Sequence, residues 1–374
     1  MKIAIDASPA FKHLRTGIEE YSYQLIKAMR EPLKDSDVTL FIRSGTSENI
    51  DFKLPRRWVV KELYSPLLWT YGRLSIALFF GKFDKLFVPG HIVPPIHPKD
   101  TVMVVHGLEY ELTPEAFTRS ERWRMRFGIQ KSCAWARHII CVSNNTKKDL
   151  IDLYDVKKEK IRVIYEGVNP PIKMDMSVAQ AALAKFQLRR GEYLFFVGRI
   201  ETRKNIIGIL KAYEVLRGHF DIPQKLVLAG KEGNGWQEIL NAIEAHPFRG
   251  DIILTGFISA EEKWSLLDGA SVFLFPTLYE GFGLPVLEAQ QIGVPVVTSK
   301  TSSLGEITTK RGGDPSAMLV DPYDPAAIAE ATHKLLTDQK QRDGVIVQGT
   351  QNALRFTWRR TADLTTKIIR AQQK

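Results

Sequence analysis

The residues best suited to chemistry lie within residues 275–289, where a predicted strand ends and a predicted helix begins. Gly281 and Gly283 relax the backbone between the two elements, and Pro285 favours the first turn of the helix. The free N–H groups of such a helix carry partial positive charge. The spacing therefore predicts an anion-binding loop at the carboxyl end of a strand, and a capped surface helix is the alternative.

Two glutamates in this segment suit different parts of a ligand. Glu280, in the loop, can contact an uncharged, hydroxyl-rich group. Glu288, one turn into the helix, can accept hydrogen bonds from vicinal hydroxyls such as those of a ribose. The segment is not a dinucleotide fingerprint, because Val286 stands where the third glycine would be, and it is not a Walker loop, because no Gly-Lys-Ser/Thr follows. The pattern favours a ligand that combines an anion with hydroxyl groups.

A second candidate segment follows the strand predicted at residues 193–199. Arg199 lies at the tip of that strand and Lys204 opens the next helix, so the short loop between them can direct both cations to one point. Two cations beside a helix amino terminus suit a diphosphate. The alternative is a pair of solvated surface cations.

The first half of the chain offers weaker candidates. A loop after the first predicted strand ends at Gly17, which allows close backbone approach before a helix. An ordinary turn is the alternative. His106 lies at the end of the strand predicted at residues 101–106, where it can donate a hydrogen bond or shuttle a proton. The alternative is a packed histidine that caps a strand end.

Short β-branched runs alternate with helical patterns along the chain. Strands are predicted at residues 3–8, 38–43, 86–89, 101–106, 138–143, 161–166, 193–199, 225–230, 252–257, 272–277, 294–299 and 317–321. The predicted helices include residues 18–30, 115–137, 204–217 and 325–336. Several strand runs are apolar without alternation, which is typical of parallel strands covered on both faces. The alternation predicts an α/β fold with parallel sheets and crossover helices.

The pattern restarts near the middle of the chain, where Pro170 and Pro171 favour a linker within residues 168–176. We therefore predict two doubly wound, Rossmann-like domains of similar size, residues 1–170 and 171–355, which face each other across a cleft. In open parallel sheets, ligands bind beyond the carboxyl ends of the strands. The site residues are therefore expected in the loops that follow the strands.

Composition limits the partners and the metal chemistry. The 374 residues carry a net charge of +10, and residues 51–150 alone hold 16 basic and 9 acidic side chains. A basic surface favours an anionic partner, and scattered solvated cations are the alternative. The chain shows no nucleic-acid recognition motif. Two cysteines exclude a disulfide scaffold and a cysteine zinc site. The only Asp-x-Asp pair, Asp35 and Asp37, precedes a strand, so no metal is predicted.

Hydropathy predicts a soluble protein that at most rests on a membrane surface, and the two cysteines favour a reducing, cytoplasmic compartment. The amino terminus lacks the apolar core of a signal peptide, and no stretch reaches the ~20 apolar residues that span a bilayer. Residues 119–131 are basic and carry Trp123 and Phe127, and residues 66–83 are strongly apolar. Either segment can rest on an anionic membrane. The alternative is an ordinary helix whose apolar stripe covers the sheet.

The sequence also resembles a known protein family. Residues 196–321 are similar to the nucleotide-sugar domain of retaining GT-B glycosyltransferases of group 1. The matching pieces are residues 197–205, 228–230, 255–257, the pair Glu280 and Glu288 with seven residues between them, 293–297 and 317–322. The first half resembles the acceptor domain more loosely, through residues 16–17, His106, 141–143 and 164–168. Residues 356–374 resemble the carboxyl-terminal helix that crosses back to the first domain.

The resemblance implies a role for each site residue. Arg199 and Lys204 would hold the donor diphosphate and neutralise the leaving group, Glu280 would contact the transferred sugar, and His106 would lie beside that sugar. These four form the implied catalytic set. The implied donor-binding residues are Gly17, Gly198, Phe257, Ile258, Gly281, Phe282, Gly283, Leu284 and Glu288, with Glu288 at the ribose and Phe257 and Ile258 along the base.

The resemblance also implies the reaction. A hexose of the mannose or glucose type would move, with retention of configuration, from a GDP- or UDP-sugar to a lipid-linked or polysaccharide acceptor. Two cations and a helix amino terminus can stabilise a leaving diphosphate without a metal or other cofactor. Three alternatives stay open: a nucleotide-sugar epimerase or a sugar phosphorylase of the same architecture, and a non-catalytic protein that binds sugar nucleotides.

Overall fold

The computed structural model describes residues 1–65, 67–172, 175–310 and 313–371. The chain forms two compact units. The first consists of Met1–Leu108, Arg119–Gly167 and Phe356–Lys374, and the second of Glu109–Thr118 and Val168–Arg355. Within the segments predicted above, Pro66, residues 173–174 of the predicted linker, residues 311–312 and residues 372–374 lie outside the described residues.

The described part of the chain contains thirteen strands. They are β1 (Lys2–Asp6), β2 (Asp37–Arg43), β3 (Trp58–Leu63), β4 (Lys85–Val88), β5 (Asp100–Val105), β6 (His138–Cys141), β7 (Ile161–Val163), β8 (Tyr193–Val197), β9 (Lys225–Ala229), β10 (Ile252–Gly256), β11 (Val272–Phe275), β12 (Val296–Ser299) and β13 (Met318–Val320).

The α-helices of the same ranges lie mostly between these strands. They are α1 (Gly17–Met29), α2 (Ser75–Gly81), α3 (Glu109–Leu112), α4 (Arg119–Trp135), α5 (Asn144–Tyr154), α6 (Met176–Lys185), α7 (Ile206–Gly218), α8 (Trp236–Glu244), α9 (Ala260–Gly269), α10 (Leu284–Gln291), α11 (Ser302–Thr308), α12 (Pro325–Thr337), α13 (Gln339–Ala353) and α14 (Trp358–Arg370).

The first unit is built on a parallel sheet of the order β3-β2-β1-β4-β5-β6-β7. All six residues of β5 are buried, as expected for a strand covered on both faces. Helix α14 packs on α1, and the Thr361 hydroxyl donates a hydrogen bond of 2.8 Å to the Tyr165 carbonyl. At the other end of α14, Lys85 Nζ donates to the Ala371 carbonyl at 2.8 Å. Residues from both ends of the sequence therefore complete this unit.

The second unit repeats the arrangement with a parallel sheet of the order β10-β9-β8-β11-β12-β13. The chain runs outward from β8 through β9 to β10, returns to β11, and then runs outward in the opposite direction. The order of the strands thus reverses between β8 and β11. In doubly wound sheets this reversal opens a crevice at the carboxyl edge, which is where ligands bind.

Local sequence explains where several helices begin. Thr16 precedes α1, and its side chain and N–H both contact the Glu19 carboxylate in a capping box. Ser259 and Glu262 form the same device at the start of α9. Asp324 caps α12, whose first residue is a proline. These caps fix the ends of helices that the hydrophobic pattern alone places only approximately.

The α/β class and the parallel, doubly wound sheets are confirmed, and the structure corrects three details. Strand β3 was not predicted; it is the edge strand of the first sheet, and Val59 is 54% exposed within it. The helix predicted from residue 115 begins at Arg119, because residues 114–116 form a separate short turn. The Glu109–Thr118 segment belongs to the second unit, although the sequence placed it within the first domain.

Candidate functional site

Two loops meet at the carboxyl edge of the second sheet, where the strand order reverses. One follows β8 and the other follows β11. The Leu278 N–H donates to the Arg203 carbonyl at 3.0 Å, and the Asn205 side-chain amide donates to the Pro276 carbonyl at 2.9 Å. These bonds tie the two loops together, so the charged side chains that they carry lie side by side.

The loop after β8 has a rigid backbone. Residues Thr202–Lys204 form one short helical turn, and Asn205 adopts a left-handed conformation with φ of 59° before α7 begins. The Thr202 N–H donates to the Asn234 carbonyl at 2.9 Å. At Gly230, where φ is +147°, an added Cβ would lie 1.7 Å from the Gly198 carbonyl oxygen. Only glycine at this position allows the loops after β8 and β9 to lie so close.

Four charged side chains form the centre of the site. Lys204 Nζ donates a hydrogen bond to Glu280 Oε1, and Arg203 Nη1 lies 3.1 Å from the same oxygen. Arg203 Nη2 donates to Glu201 Oε1 at 2.8 Å. The Lys204 and Glu280 side chains are each only 12% exposed. We call Glu201, Arg203, Lys204 and Glu280 the charge cluster.

Burial and mutual attraction set the protonation of the charge cluster. Burial lowers the pKa of Lys204, the neighbouring Arg203 guanidinium lowers it further, and Glu280 opposes both effects. Burial alone would raise the pKa of Glu280, but Lys204 and Arg203 outweigh it and hold that pKa below its ordinary value. The Glu280 carboxylate is therefore ionised at neutral pH.

The loop between Glu280 and α10 is held from α11. Ser303 Oγ lies 2.8 Å from the Glu280 carbonyl oxygen and 2.6 Å from the Phe282 carbonyl oxygen, so its one proton can be donated to either. Gly283 has φ of +118°, and an added Cβ would lie 2.5 Å from Leu304. In the described residues, the N–H groups of Gly283 and Leu284 have no hydrogen-bond acceptor. Two donors at the amino terminus of α10 are thus available to an anion.

Two other predicted donor-binding positions have cationic neighbours that the sequence reading did not select. Glu288 is buried, and its Oε1 accepts a hydrogen bond of 2.7 Å from Lys263 Nζ. Phe257 is 59% exposed, and Lys231 Nζ lies 4.6 Å from the centre of its ring. Ile258 beside it is buried. The roles of Glu288, Phe257 and Ile258 toward a nucleotide stay predictions.

The two cations that the sequence paired have different surroundings in the structure. Lys204 belongs to the charge cluster, whereas Arg199 is exposed and makes no hydrogen bond or ion pair with the part of the chain that is described. Arg203 joins that cluster instead, with only 16% of its side chain exposed. The sequence reading missed Arg203 and Glu201, although both lie in the run Glu201-Thr202-Arg203-Lys204 directly after the strand. Charged residues in a row directly after a strand are the feature of the sequence that could have identified Arg203 and Glu201.

The candidates of the first unit lie at the carboxyl edge of its own sheet. His106 follows β5; its Nε2 lies 2.8 Å from the Pro89 carbonyl and its Nδ1 lies 3.3 Å from Glu166 Oε1. The edge of the Tyr21 ring packs on the imidazole, with the ring centres 4.5 Å apart. Gly17 begins α1, and a Cβ there would have no atom within 4 Å. The backbone beside Gly17 is therefore open.

Two further features delimit the site. No group of three or more His, Cys, Asp or Glu side chains arranged for a metal ion occurs among the described residues. A cavity of about 580 Å³ in the second unit is lined by residues of α6 and α9, including Met176, Leu183 and Trp264. No predicted site residue lines this cavity, so the charge cluster and the cavity are separate features.

The two sheets and the charged strand-tip loops define a class of enzyme. Two parallel, doubly wound α/β units are the architecture of GT-B glycosyltransferases. A model of "Glycosyltransferase Family 4" matches residues 15–171, and one of "Glycosyl transferases group 1" matches residues 182–352. The chain belongs to the group 1 glycosyltransferases.

Individual relatives agree with this assignment. The O-antigen chain mannosyltransferase B of Escherichia coli is 28% identical over 389 residues, which cover 99% of both chains. Sucrose-phosphate synthase from Thermosynechococcus elongatus superposes with a TM-score of 0.74 at 19% identity over 99% of this chain and 98% of that one. Anabaena HepE, solved in complex with UDP and glucose, gives a TM-score of 0.73 at 14% identity over 99% of both chains.

Proposed function

We propose that this glycosyltransferase moves a mannosyl residue from a nucleoside-diphosphate sugar to a lipid-linked or polysaccharide glycan, with retention of configuration and without a metal. The choice of mannose is supported by the similarity to an O-antigen chain mannosyltransferase along almost the whole of both chains. The observation that carries the proposal is the buried Lys204–Glu280 pair beside the unpaired N–H groups of α10.

The charge cluster can exchange partners when the donor binds. In the structure, Lys204 is neutralised by Glu280. A donor diphosphate brings more negative charge than one carboxylate, so it competes for the Lys204 ammonium. Glu280, relieved of that bond, can then accept hydrogen bonds from the hydroxyls of the transferred sugar. Arg203 keeps its bond to Glu201 and holds the loop in place during this exchange.

Other residues would complete the donor site. Exposed Arg199 can bind the diphosphate as a second cation, because no described side chain competes for it. The N–H groups of Gly283 and Leu284 would bind a phosphate oxygen at the amino terminus of α10. Glu288 would accept from the ribose hydroxyls, with Ile258 and Phe257 along the base. The acceptor side would include His106.

Transfer then requires charge stabilisation at the leaving group. The bond between the anomeric carbon and the phosphate oxygen breaks, and a bond from the acceptor hydroxyl oxygen to the same face of that carbon forms through an oxocarbenium-like transition state. The leaving phosphate oxygen takes the proton of the acceptor hydroxyl. Lys204, Arg199 and the α10 amino terminus stabilise the growing charge on the diphosphate.

A ligand panel tests the proposal. Thermal unfolding is measured with UDP-, GDP- and ADP-sugars, including mannosyl and glucosyl forms, since binding raises the melting temperature with ligand concentration. The nucleotide sugar that stabilises the chain is then given with a lipid-linked glycan, and the product linkage is read by NMR. Mannosyl transfer with an α-linked product from an α-linked donor supports the proposal. Inverted product, glucosyl transfer alone, epimer release or phosphorolysis would contradict it.

A further inference from the structure

We propose that the first unit docks on an anionic lipid bilayer through an apolar surface that we call the insertion face. Six exposed residues form it: Leu67, Leu68, Tyr71, Ile76, Phe79 and Phe80. Leu67 and Leu68 directly precede a helical segment in which a π-helical turn, Trp69–Leu74, continues directly into α2. The other four residues lie on that segment. This docking does not depend on the reaction proposed above.

The outward side of this segment is apolar, although a helix face that contacts water ordinarily carries polar residues. Trp69, Leu74 and Leu78 point inward and are buried. On the opposite side, Phe79 is 64% exposed and Phe80 is 75% exposed. A helix on the surface of a water-soluble protein ordinarily turns polar side chains outward. A contiguous exposed apolar patch of this kind is typical of a surface that binds a partner or a membrane.

Helix α4 extends the insertion face. Trp123 is 68% exposed, and its ring stacks on Phe127 with the ring centres 5.7 Å apart. A Cβ placed on Gly128 would lie 3.6 Å from the Tyr71 hydroxyl, so α4 adjoins the π-helical turn. Gly128 and Ile129 are buried instead. The two aromatic side chains therefore do not form the stripe that covers the sheet.

Charge identifies the occupant of the insertion face. Residues 67–83 and α4 together carry seven basic side chains and one acidic side chain, Glu121. Arg73, Lys82 and Arg124 are exposed around the apolar residues. Cations that surround an apolar face suit anionic head groups above acyl chains. A second copy of the chain would bring like charges together, so it fits this surface less well.

The insertion face is anchored to the carboxyl edge of the sheet in its own unit. Trp69 Nε1 donates to Asp6 Oδ1 at 3.1 Å, and Asp6 is the last residue of β1. The Arg43 guanidinium lies 5.1 Å from the centre of the Trp69 ring. His106 follows β5 at the same carboxyl edge, because the strands are parallel. A bound bilayer would therefore lie on the unit that also carries His106.

Vesicle co-sedimentation of the full chain tests the proposal. Vesicles of phosphatidylcholine are compared with vesicles that also contain phosphatidylglycerol. The chain is expected to bind the anionic vesicles, and binding should weaken as salt rises. The double variant Phe79→Ser, Phe80→Ser should reduce partitioning roughly tenfold or more. Lys82→Gln with Arg124→Gln should reduce binding to anionic vesicles and abolish the preference for them.

The matched control is Val347→Ser with Leu354→Ser, which removes two exposed apolar side chains from the second unit. This variant should sediment like the wild type. Equal binding of the Phe79, Phe80 double variant and the wild type would overturn the proposal, and so would a wild type that binds neither vesicle. A dimer in sedimentation equilibrium that this double variant dissociates would assign the face to a second copy instead. Donor-induced thermal shifts are measured on the same variants, so failure of membrane docking is distinguished from failure of the proposed reaction.

Discussion

Lys204 and Glu280 form a largely buried ion pair that joins the loop after β8 to the loop after β11. The two residues are separated by 75 others in the sequence, and only the reversal of strand order brings their loops together. The Lys204 ammonium also lies 5.0 Å from the centre of the Phe275 ring, beneath the loop. The pair therefore places the Lys204 ammonium at the carboxyl edge of the sheet, where the Glu280 carboxylate neutralises it.

Glu280→Gln should reduce transfer roughly a hundredfold or more while nucleotide binding survives, because the variant lacks the negative charge that the proposed function places beside the sugar. Transfer rates and nucleotide affinity measure the two effects separately. Glu330→Gln, an exposed change on α12, is the control and should leave both unchanged. Wild-type transfer by Glu280→Gln would refute the role given to this carboxylate.

Arg199→Ala and Arg203→Ala should have different consequences. Exposed Arg199 can be removed without changing the melting temperature, but transfer should fall roughly a hundredfold. Arg203→Ala leaves the buried carboxylates of Glu201 and Glu280 short of a partner, which should lower the free energy of unfolding by about 3–5 kcal/mol. Urea unfolding and transfer assays on both variants check this. An unchanged transfer rate in Arg199→Ala would remove it from the site.

Gly230→Ala should destabilise the second unit and weaken donor binding. The added Cβ would overlap the Gly198 carbonyl oxygen, so the loop that carries Arg199 must shift. Overpacking of this kind costs about 1–3 kcal/mol in the free energy of unfolding. Gly250→Ala is the matched control, because a Cβ there has no atom within 4 Å. Similar urea midpoints for the two variants would show that the close approach is unimportant.

His91 should make the stability of the first unit depend on pH. Burial, with the neighbouring His106, lowers the pKa of His91 to about 3. When the pH falls below about 6.5, the unfolded chain takes up a proton on His91 that the folded chain does not. The free energy of unfolding therefore decreases as the pH falls from 6.5 to 3, by at most about 1.4 kcal/mol for each pH unit.

Urea unfolding at about pH 7.5 and pH 5 measures the His91 effect. His91→Gln should show a smaller loss of stability between these conditions than the wild type. His13→Gln replaces an exposed histidine and should behave like the wild type. An identical pH dependence in His91→Gln and the wild type would contradict the prediction.

Chelation tests the proposal that sugar transfer needs no metal ion. In the proposed reaction, Lys204, Arg199 and the amino terminus of α10 would supply the positive charge that a metal would otherwise provide. Transfer measured in EDTA should equal transfer in untreated enzyme. Full loss of activity that added Mg²⁺ or Mn²⁺ restores would show that the cations are insufficient.

The sequence predicts the sheets well because buried parallel strands are short, apolar and β-branched, as in β8 and β11. It does not reveal β3, since an edge strand that covers little core lacks that signature. At the candidate site, the sequence predicts both loops, and the structure pairs Lys204 with Glu280 between them. It does not distinguish Arg199 from Arg203, because both lie within a few residues of the strand tip and only the turn at Thr202–Lys204 decides which side chain is buried.

The first unit is discontinuous, and this has a consequence during protein synthesis. Its sheet is complete by β7, but α14, which packs on α1 and contacts Tyr165 and Lys85, is made only after the second unit. Because domains fold as units while the chain emerges from the ribosome, the second unit can reach its native state first. A chain that ends at Thr357 should therefore show a protease-resistant second unit and a first unit that is still cleaved.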